Sequence, residues 1–302
     1  MARVFSSING SANLLTSVRC SYSTCYRPMV VEMGRDQSYR ASIESEIEAH
    51  LKKVISIKPP ESVFEPMHYL TFATPKSTAP ALCVAACELV GGERAQALAA
   101  ASAIHLMHVA TYTHQHMHGS GTKPGPTIDH KFGPNIELLT GDGIMPFAIE
   151  LLAKAMSPAR ENSDKILRVI TEVTRAVGLQ GLLEGQFRAV EWTQSGNGDE
   201  EMLEYVCKKK EGEIHACGAA CGAILGDGND EEVESLRNYG LYVGTIQGMI
   251  NGVGRNNYNN RMEELRISAM KELQTRFKGK KVRPIASLIE ESFVPPSQSN
   301  LL

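Results

Sequence analysis

The chain has 302 residues, of which 42% are hydrophobic, and its formal net charge is -3. This length allows a substantial hydrophobic core and fits one large domain or two smaller ones. The charge balance argues against the basic surface of a nucleic-acid-binding protein. No apolar run reaches the roughly 18 residues that a membrane span needs, so a membrane protein is not expected either.

The N-terminal segment has a composition unlike that of the rest. It is rich in Ser and Thr, contains Arg3, Arg19 and Arg27, and has no acidic residue before Glu32. This is typical of an organelle transit peptide. We expect residues 1–35, with an approximate boundary, to direct import into the plastid stroma. A mitochondrial address and a merely disordered tail are the alternatives.

Beyond the N-terminal segment, apolar residues repeat at spacings of three and four, which predicts one helix after another. Three such stripes consist of Ile43, Ile47, Leu51 and Val54; of Ile166, Ile170, Val173 and Val177; and of Met262, Leu265, Ala269, Leu273 and Phe277. The segment from Ala95 to Tyr112 is Ala-rich and apolar nearly all round, which predicts a central helix. We therefore predict a single all-α domain over residues 36–290, followed by a flexible C-terminal tail over residues 291–302.

Two short elements share the form C-x-x-x-C: one runs from Cys83 to Cys87 and the other from Cys217 to Cys221. The spacing places both thiols of each pair on one helix face. Zinc sites usually use C-x-x-C. A disulfide needs β-carbons about 3.8 Å apart, closer than the roughly 5 to 6 Å between such helical neighbours. Surrounding Gly and Ala would let another helix approach closely, which predicts a helix-docking face. The alternative is that each Cys is a small core hydrophobe.

Five stretches, in the same order, resemble the geranylgeranyl diphosphate synthase family. They are Ala86-Cys-Glu-Leu-Val-Gly-Gly92, His130-Lys-Phe-Gly133, Leu139-Thr-Gly-Asp-Gly143, Glu184-Gly-Gln186 and Gly222-Ala-Ile-Leu-Gly226. The resemblance covers about residues 40–277. It implies the isoprenoid synthase fold, in which a bundle of helices surrounds a deep central cavity.

Active members of that family carry two Asp-rich motifs, of the forms D-D-x-x-(x-x)-D and D-D-x-x-D. Their carboxylates hold Mg²⁺ ions that bridge the substrate diphosphate. At the matching positions this chain has Gln115 and His116 in the first motif, and Asn251, Gly252 and Arg255 in the second. A cation at the last of these positions would repel Mg²⁺. The resemblance therefore implies that this chain has no catalytic, cofactor-binding or metal-binding residues.

The family's diphosphate-binding residues are also reduced. Its G-K-R-x-R-P clamp corresponds to the segment Pro75–Pro80, which retains Lys76 but neither arginine. The loss removes the bidentate partners of isopentenyl diphosphate. Lys210 lies near the family's diphosphate-binding lysine and is a candidate for a residual diphosphate contact. The alternative is that the run Lys208–Lys210 forms a solvated basic patch.

Loss of both metal motifs together with two C-x-x-x-C elements resembles one non-catalytic branch of this family, the type I small subunits of heteromeric geranyl diphosphate synthase. The resemblance implies a regulatory subunit that binds a geranylgeranyl diphosphate synthase large subunit, as a heterodimer or heterotetramer. The product shifts to ten-carbon geranyl diphosphate for monoterpene synthesis, and Mg²⁺ is expected in the large subunit. Cys83, Cys87, Cys217 and Cys221 are expected at the partner interface.

Two other functions stay open at this stage: an independently active prenyltransferase or hydrolase with unfamiliar ligands, and a plastid scaffold protein. Five histidines could suggest a replacement metal site: His105, His108, His114, His116 and His118. On one continuous helix His114 and His118 share a face, whereas His116 points nearly away from them. Histidines that line a degenerate cavity are therefore favoured over a metal site.

Overall fold

The computed structural model describes residues 30–117, 131–157, 159, 161–195, 200–253 and 259–293. Within these ranges the chain forms twelve α-helices and a π-helical turn, and no strand. They are α1 (Val30–Val54), α2 (Glu61–Ala73), α3 (Ala79–Val90), α4 (Arg94–Met117), α5 (Pro134–Lys154), α6 (Ser163–Val177), α7 (Leu182–Ser195), α8 (Glu200–Cys207), the π-helical turn (Lys208–Gly212), α9 (Glu213–Leu225), α10 (Asp230–Val253), α11 (Asn259–Arg276) and α12 (Arg283–Phe293). The all-α prediction is confirmed.

The expected domain boundaries fall inside helices. Helix α1 begins at Val30, so the transit-peptide boundary expected at residue 35 lies within it. Helix α12 continues to Phe293, so residues 291–293 of the expected tail are helical. The remainder of both terminal segments lies outside the described residues, and their roles stay predictions. Within the described ranges, no helix combines the length and apolarity that crossing a bilayer requires.

Helix α4 is the centre of the bundle. Between Ala97 and Thr113 nearly every side chain is buried, because α4 packs against α3, α5 and α9 on different sides. A helix that is apolar all round is stable only when it is surrounded in this way. The predicted central helix is therefore confirmed. The predicted stripes of α1, α6 and α11 also face the core, with Ile43, Ile166 and Leu273 buried.

The closest helix contact in the bundle is that between α3 and α9. A methyl group built on Gly222 would overlap the carbonyl oxygen of Cys83, and one built on Gly218 would overlap the carbonyl oxygen of Ala79. A methyl group on Gly226, just after α9, would lie 2.7 Å from the carbonyl oxygen of Cys87. Only hydrogen fits at these points, so the two backbones are in direct contact. We call this contact, with its glycines and cysteines, the α3–α9 seam.

We predict that Gly222→Ala lowers the free energy of unfolding by about 2–4 kcal/mol, because the added methyl group forces the helices of the seam apart. Urea unfolding of the purified chain measures this change. Gly143→Ala is the matched control, since Gly143 is also helical but has open space around its β-carbon. There we expect no loss, or a gain of about 0.5–1 kcal/mol. Equal effects of the two substitutions would contradict close backbone contact at the seam.

Candidate functional site

Several positions singled out in the sequence meet at a small cavity between α4, α7, the π-helical turn and α9. Its lining residues are His108, Thr111, Tyr112, Gln115, Leu182, Lys210, Glu211 and Ile214. The cavity has a volume of about 10 Å³, which is room for about one water molecule. Small-molecule sites usually measure about 300–1,000 Å³. The space that these described side chains enclose is therefore too small for a prenyl chain.

Gln115 and His116, which are predicted to stand in the first Asp-rich motif, lie near the end of α4. Gln115 lines the cavity. The His116 ring stacks on the Tyr112 ring, with centroids 3.8 Å apart and planes 19° apart, and His116 Nδ1 donates to the Tyr112 carbonyl oxygen at 2.8 Å. His116 is thus bound back onto its own helix. Neither side chain offers the carboxylate oxygens that Mg²⁺ prefers.

The three consecutive lysines of the π-helical turn have three different environments. Lys208 is exposed, and the Lys209 ammonium lies 3.1 Å from a carboxylate oxygen of Glu184. Lys210 is half-buried and lines the cavity together with Glu211. Burial lowers the pKa of Lys210 and raises the pKa of Glu211 to about 7. A solvated patch is therefore the correct description for Lys208 alone.

Glu211 is a cavity residue that the sequence did not single out. It ends a run of four charged residues, a pattern that normally indicates a solvated surface. The packing of α10 against the π-helical turn decides otherwise, because a methyl group on Gly248 would lie 3.3 Å from Glu211 Cβ. Helix α7 also approaches the turn closely: a methyl group on Gly185 would lie 2.7 Å from Lys209 Cβ and 2.9 Å from Lys210 Cγ. The glycine of the Glu184-Gly185-Gln186 stretch is the one sequence feature that hinted at this close approach. As a result, Lys210, the candidate for a diphosphate contact, has the Glu211 carboxyl group beside it in the cavity lining.

Lys76, the remnant of the diphosphate clamp, is already occupied by two carboxylates of α1. Its ammonium lies 3.2 Å from Glu44 and 3.7 Å from Glu48. Such exposed ion pairs contribute little to stability, but they reduce the positive charge that a diphosphate would meet. Lys76 is not among the residues that line the small cavity.

The described histidines of α4 contact different protein groups rather than one another. His105 Nε2 donates to the Thr71 carbonyl oxygen, and His108 Nε2 donates to the Pro75 carbonyl oxygen. The Nε2 atom of His114 lies 3.2 Å from Asp142 Oδ1. Burial lowers the pKa of His105, and it lowers that of His108 to about 4. Across the described part of the chain, no group of three or more His, Cys, Asp or Glu side chains is placed to hold a metal ion. His118 lies outside the described residues.

Asn251 and Gly252, which are predicted to stand in the second Asp-rich motif, lie near the end of α10. Asn251 and Gly252 are both exposed, and Asn251 Oδ1 accepts a hydrogen bond from Gln247 Nε2 at 3.1 Å. Neither residue lines the small cavity. Arg255 lies outside the described residues, so its predicted position is not described. The structure therefore brings Gln115 and Lys210 together but not these two positions.

The four motif cysteines lie inside the chain. Cys83, Cys87 and Cys221 have no exposed surface, and Cys217 is 2% exposed. The Cys217 and Cys221 sulfurs are 3.7 Å apart, and burial raises the pKa of the Cys87 thiol to about 12. The predicted helix-docking faces exist, but α3 and α9 dock on each other. In the single chain these side chains pack against the chain itself. Their expected place at the partner interface stays a prediction.

Comparisons with known proteins agree with this architecture. Residues 60–248 match the family described as Polyprenyl synthetase. The heterodimeric geranylgeranyl pyrophosphate synthase small subunit 2, chloroplastic, of Cannabis sativa is 49% identical over 281 residues, which are 87% of this chain and 97% of that protein. The family resemblance drawn from the motifs is confirmed.

Two solved structures are also similar. The crystal structure of the geranyl diphosphate synthase small subunit from Antirrhinum majus has a TM-score of 0.78 and 56% identity, and the match covers 85% of this chain and 99% of that one. A mint deletion mutant of heterotetrameric geranyl pyrophosphate synthase in complex with ligands has a TM-score of 0.75 and 50% identity, with the same coverage of 85% and 99%. The isoprenoid synthase fold is confirmed.

His215 lies behind the cavity, between the seam and α10, with no exposed surface. Its Nδ1 donates to the Glu211 carbonyl oxygen at 2.7 Å, while its Nε2 has no hydrogen-bond partner among the described residues. Burial lowers the pKa of His215 to about 4. The imidazole is therefore neutral in the folded chain at neutral pH.

We predict that acidification from pH 6.5 to 4 destabilises the chain in part through His215. In this range the unfolded chain binds a proton at His215 that the folded chain does not, so the free energy of unfolding falls as pH falls. His215→Gln should remove up to about 3 kcal/mol of this pH dependence. Urea unfolding at several pH values measures it, and the same variant at pH 8 gives the intrinsic cost of the substitution. An unchanged slope between pH 6.5 and 4 would contradict the prediction.

Proposed function

This chain belongs to the polyprenyl synthetase family, and we propose that it is the non-catalytic regulatory subunit of a heteromeric prenyl diphosphate synthase. It binds a geranylgeranyl diphosphate synthase large subunit, as a heterodimer or heterotetramer. It shifts the product towards the ten-carbon geranyl diphosphate that supplies monoterpene synthesis. It is a plastid protein, and we propose the stroma as its compartment, after cleavage of a transit peptide.

The observation that carries this proposal is the small cavity lined by Gln115 and Lys210, where the resemblance to the family implies the substrate site. Its volume of about 10 Å³ leaves no room for a prenyl chain. The family implies Mg²⁺, but Gln115 and His116 do not fit it, because an amide and a stacked imidazole replace paired carboxylates. No catalytic step on this chain follows from these residues. We propose that the large subunit holds both Mg²⁺ and the diphosphates.

We predict that the chain alone, supplied with Mg²⁺, isopentenyl diphosphate and dimethylallyl diphosphate, makes no more prenyl product than a boiled control. The reason is that ionisation of the allylic diphosphate needs metal ions that this cavity cannot hold. Mixed with a geranylgeranyl diphosphate synthase, it should raise the ten-carbon share of the product above that of the synthase alone. Separation of radiolabelled products by chain length measures both effects.

Each alternative function gives a distinct result in this assay. Turnover by the chain alone would identify an independent prenyltransferase and refute the non-catalytic role. A verified complex with unchanged chain length would indicate a scaffold. A third result matters because a similar protein is named as a small subunit of geranylgeranyl pyrophosphate synthase. If the complex made twenty-carbon product faster without making more ten-carbon product, the proposed shift to geranyl diphosphate would be refuted, but the regulatory role would not.

The exposed apolar side chains suggest where the large subunit binds. Eight of the eleven exposed large hydrophobic residues in the described ranges lie on or beside α5, α6 and α7. These eight are Ile136, Leu138, Leu139, Leu167, Leu179, Leu183, Phe187 and Val190. Each of the three helices contacts the next. Such concentration of apolar surface is typical of a protein interface. We propose that this α5–α7 surface, and not the cysteine side chains, contacts the large subunit.

We predict that Leu167→Glu weakens binding to the large subunit at least tenfold, because a buried unpaired carboxylate is costly at an interface. Leu167 is 53% exposed in the isolated chain, so the substitution should leave folding intact. Ile267→Glu on α11 is the control, since Ile267 is 58% exposed but lies away from these three helices. Surface plasmon resonance with an immobilised large subunit gives both affinities. Equal weakening by the two variants, or none by Leu167→Glu, would contradict the α5–α7 surface.

A further inference from the structure

A second, larger cavity lies at the other end of α4. It has a volume of about 450 Å³ and is lined by residues of α1, α4, α5, α6 and α9 and of the connection between α5 and α6. This volume falls in the range of about 300–1,000 Å³ that is usual for small-molecule sites. Its α4 residues, Ala95 to Ala99, are separated along the helix axis from the small cavity at Tyr112 by about 20 Å. It is therefore distinct from the site where the family binds its substrates.

The ionisable residues that line this second cavity are His50, Lys154 and Lys165, with no carboxylate among the lining residues. Both lysines are held at the rim by carboxylates outside the lining: Lys154 contacts Glu150, and the Lys165 ammonium lies 2.6 Å from Asp227. Exposed ion pairs of this kind are worth about 0–1 kcal/mol. Both ammonium groups can therefore turn to a bound anion at little cost.

Part of the lining of the same cavity is apolar, beside polar residues such as Gln96 and Ser157. Leu98, Ile166 and Leu225 contribute to it, and the last two are buried in the core. The wall is also held in place, because Asn162 joins the end of α5 to the start of α6. Its Oδ1 accepts from the Ser157 backbone N–H at 2.8 Å, and its Nδ2 donates to the Ala155 carbonyl oxygen at 3.1 Å. The cavity lining thus combines two lysines with apolar side chains held in a fixed position.

We propose that this second cavity binds an amphipathic organic anion, and that the ligand is a short-chain prenyl diphosphate. The rim lysines contact the diphosphate, and the interior takes the hydrocarbon chain. The choice of ligand rests on the proposed function, which places this chain beside an enzyme that makes such molecules. The subunit therefore carries a product-sensing site outside the degenerate active site.

The test is equilibrium binding of geranyl diphosphate to the full chain by calorimetry, without Mg²⁺. We expect saturable binding, with inorganic pyrophosphate and geraniol each at least tenfold weaker, because each lacks one half of the contacts. Lys154→Glu should weaken geranyl diphosphate binding at least tenfold by reversing a rim charge. Ala99→Phe should do the same by filling the interior. Absence of binding, or equal binding of pyrophosphate, would overturn the proposal.

Lys52→Glu is the matched control for the rim substitution. Lys52, like Lys154, is in the last turn of its helix and pairs with a glutamate four residues earlier, but it does not line the cavity. The Lys52→Glu variant should bind geranyl diphosphate with the affinity of the wild-type chain. Circular dichroism establishes that each variant is folded. Loss of binding in Lys210→Gln with retention in Lys154→Glu and Ala99→Phe would assign the ligand to the small cavity and overturn the proposal.

Failure of this inference can be told apart from failure of the proposed function. A chain that joins the large subunit and shifts product length, yet does not bind geranyl diphosphate, would refute the second-cavity proposal alone. A chain that binds geranyl diphosphate through Lys154 but forms no complex with the large subunit would refute the proposed function and leave the binding site standing.

Discussion

Backbone contact at the α3–α9 seam is the constraint on which the rest of the bundle depends. Gly218 and Gly222 bring α9 onto the carbonyl groups of α3, and the motif cysteines fill the remaining space. With α9 held against α3, another side of α9 packs against α4. Ile214 of α9 and Gln115 of α4 therefore line the same small cavity. The seam thus sets how far apart the walls of the former active site can be.

Loss of charge at the end of α4 is consistent with the narrowness of that cavity. Facing carboxylates repel one another unless cations lie between them. Gln115 carries no charge, and Glu211, which also lines the cavity, has its pKa raised to about 7 by burial. The walls can therefore approach until about 10 Å³ is left. The described helices thus form a packed body that carries apolar side chains on the α5–α7 surface.

The same physics separates the two cavities. At the small one, His108 is bound to the Pro75 carbonyl oxygen, and Thr111 donates to the His108 carbonyl oxygen. At the second one, Lys154 and Lys165 sit at an open rim, where their carboxylate partners compete only weakly with a ligand. The larger space and its two lysines lie about 20 Å from the small cavity. Nothing in the periodicity of the sequence marks that location, because five helices contribute to it.

The amino-acid sequence by itself determined the all-α class, the central position of α4 and the core-facing stripes. These depend on residue identity and on spacing along one helix, which are local properties. Only the tertiary structure decided that the cysteine faces pair within the chain, that Lys210 and Glu211 line a cavity while Lys208 is solvated, and that Lys76 is taken up by α1. Local pattern shows that a helix face will be covered, but the identity of the covering element depends on how distant segments pack.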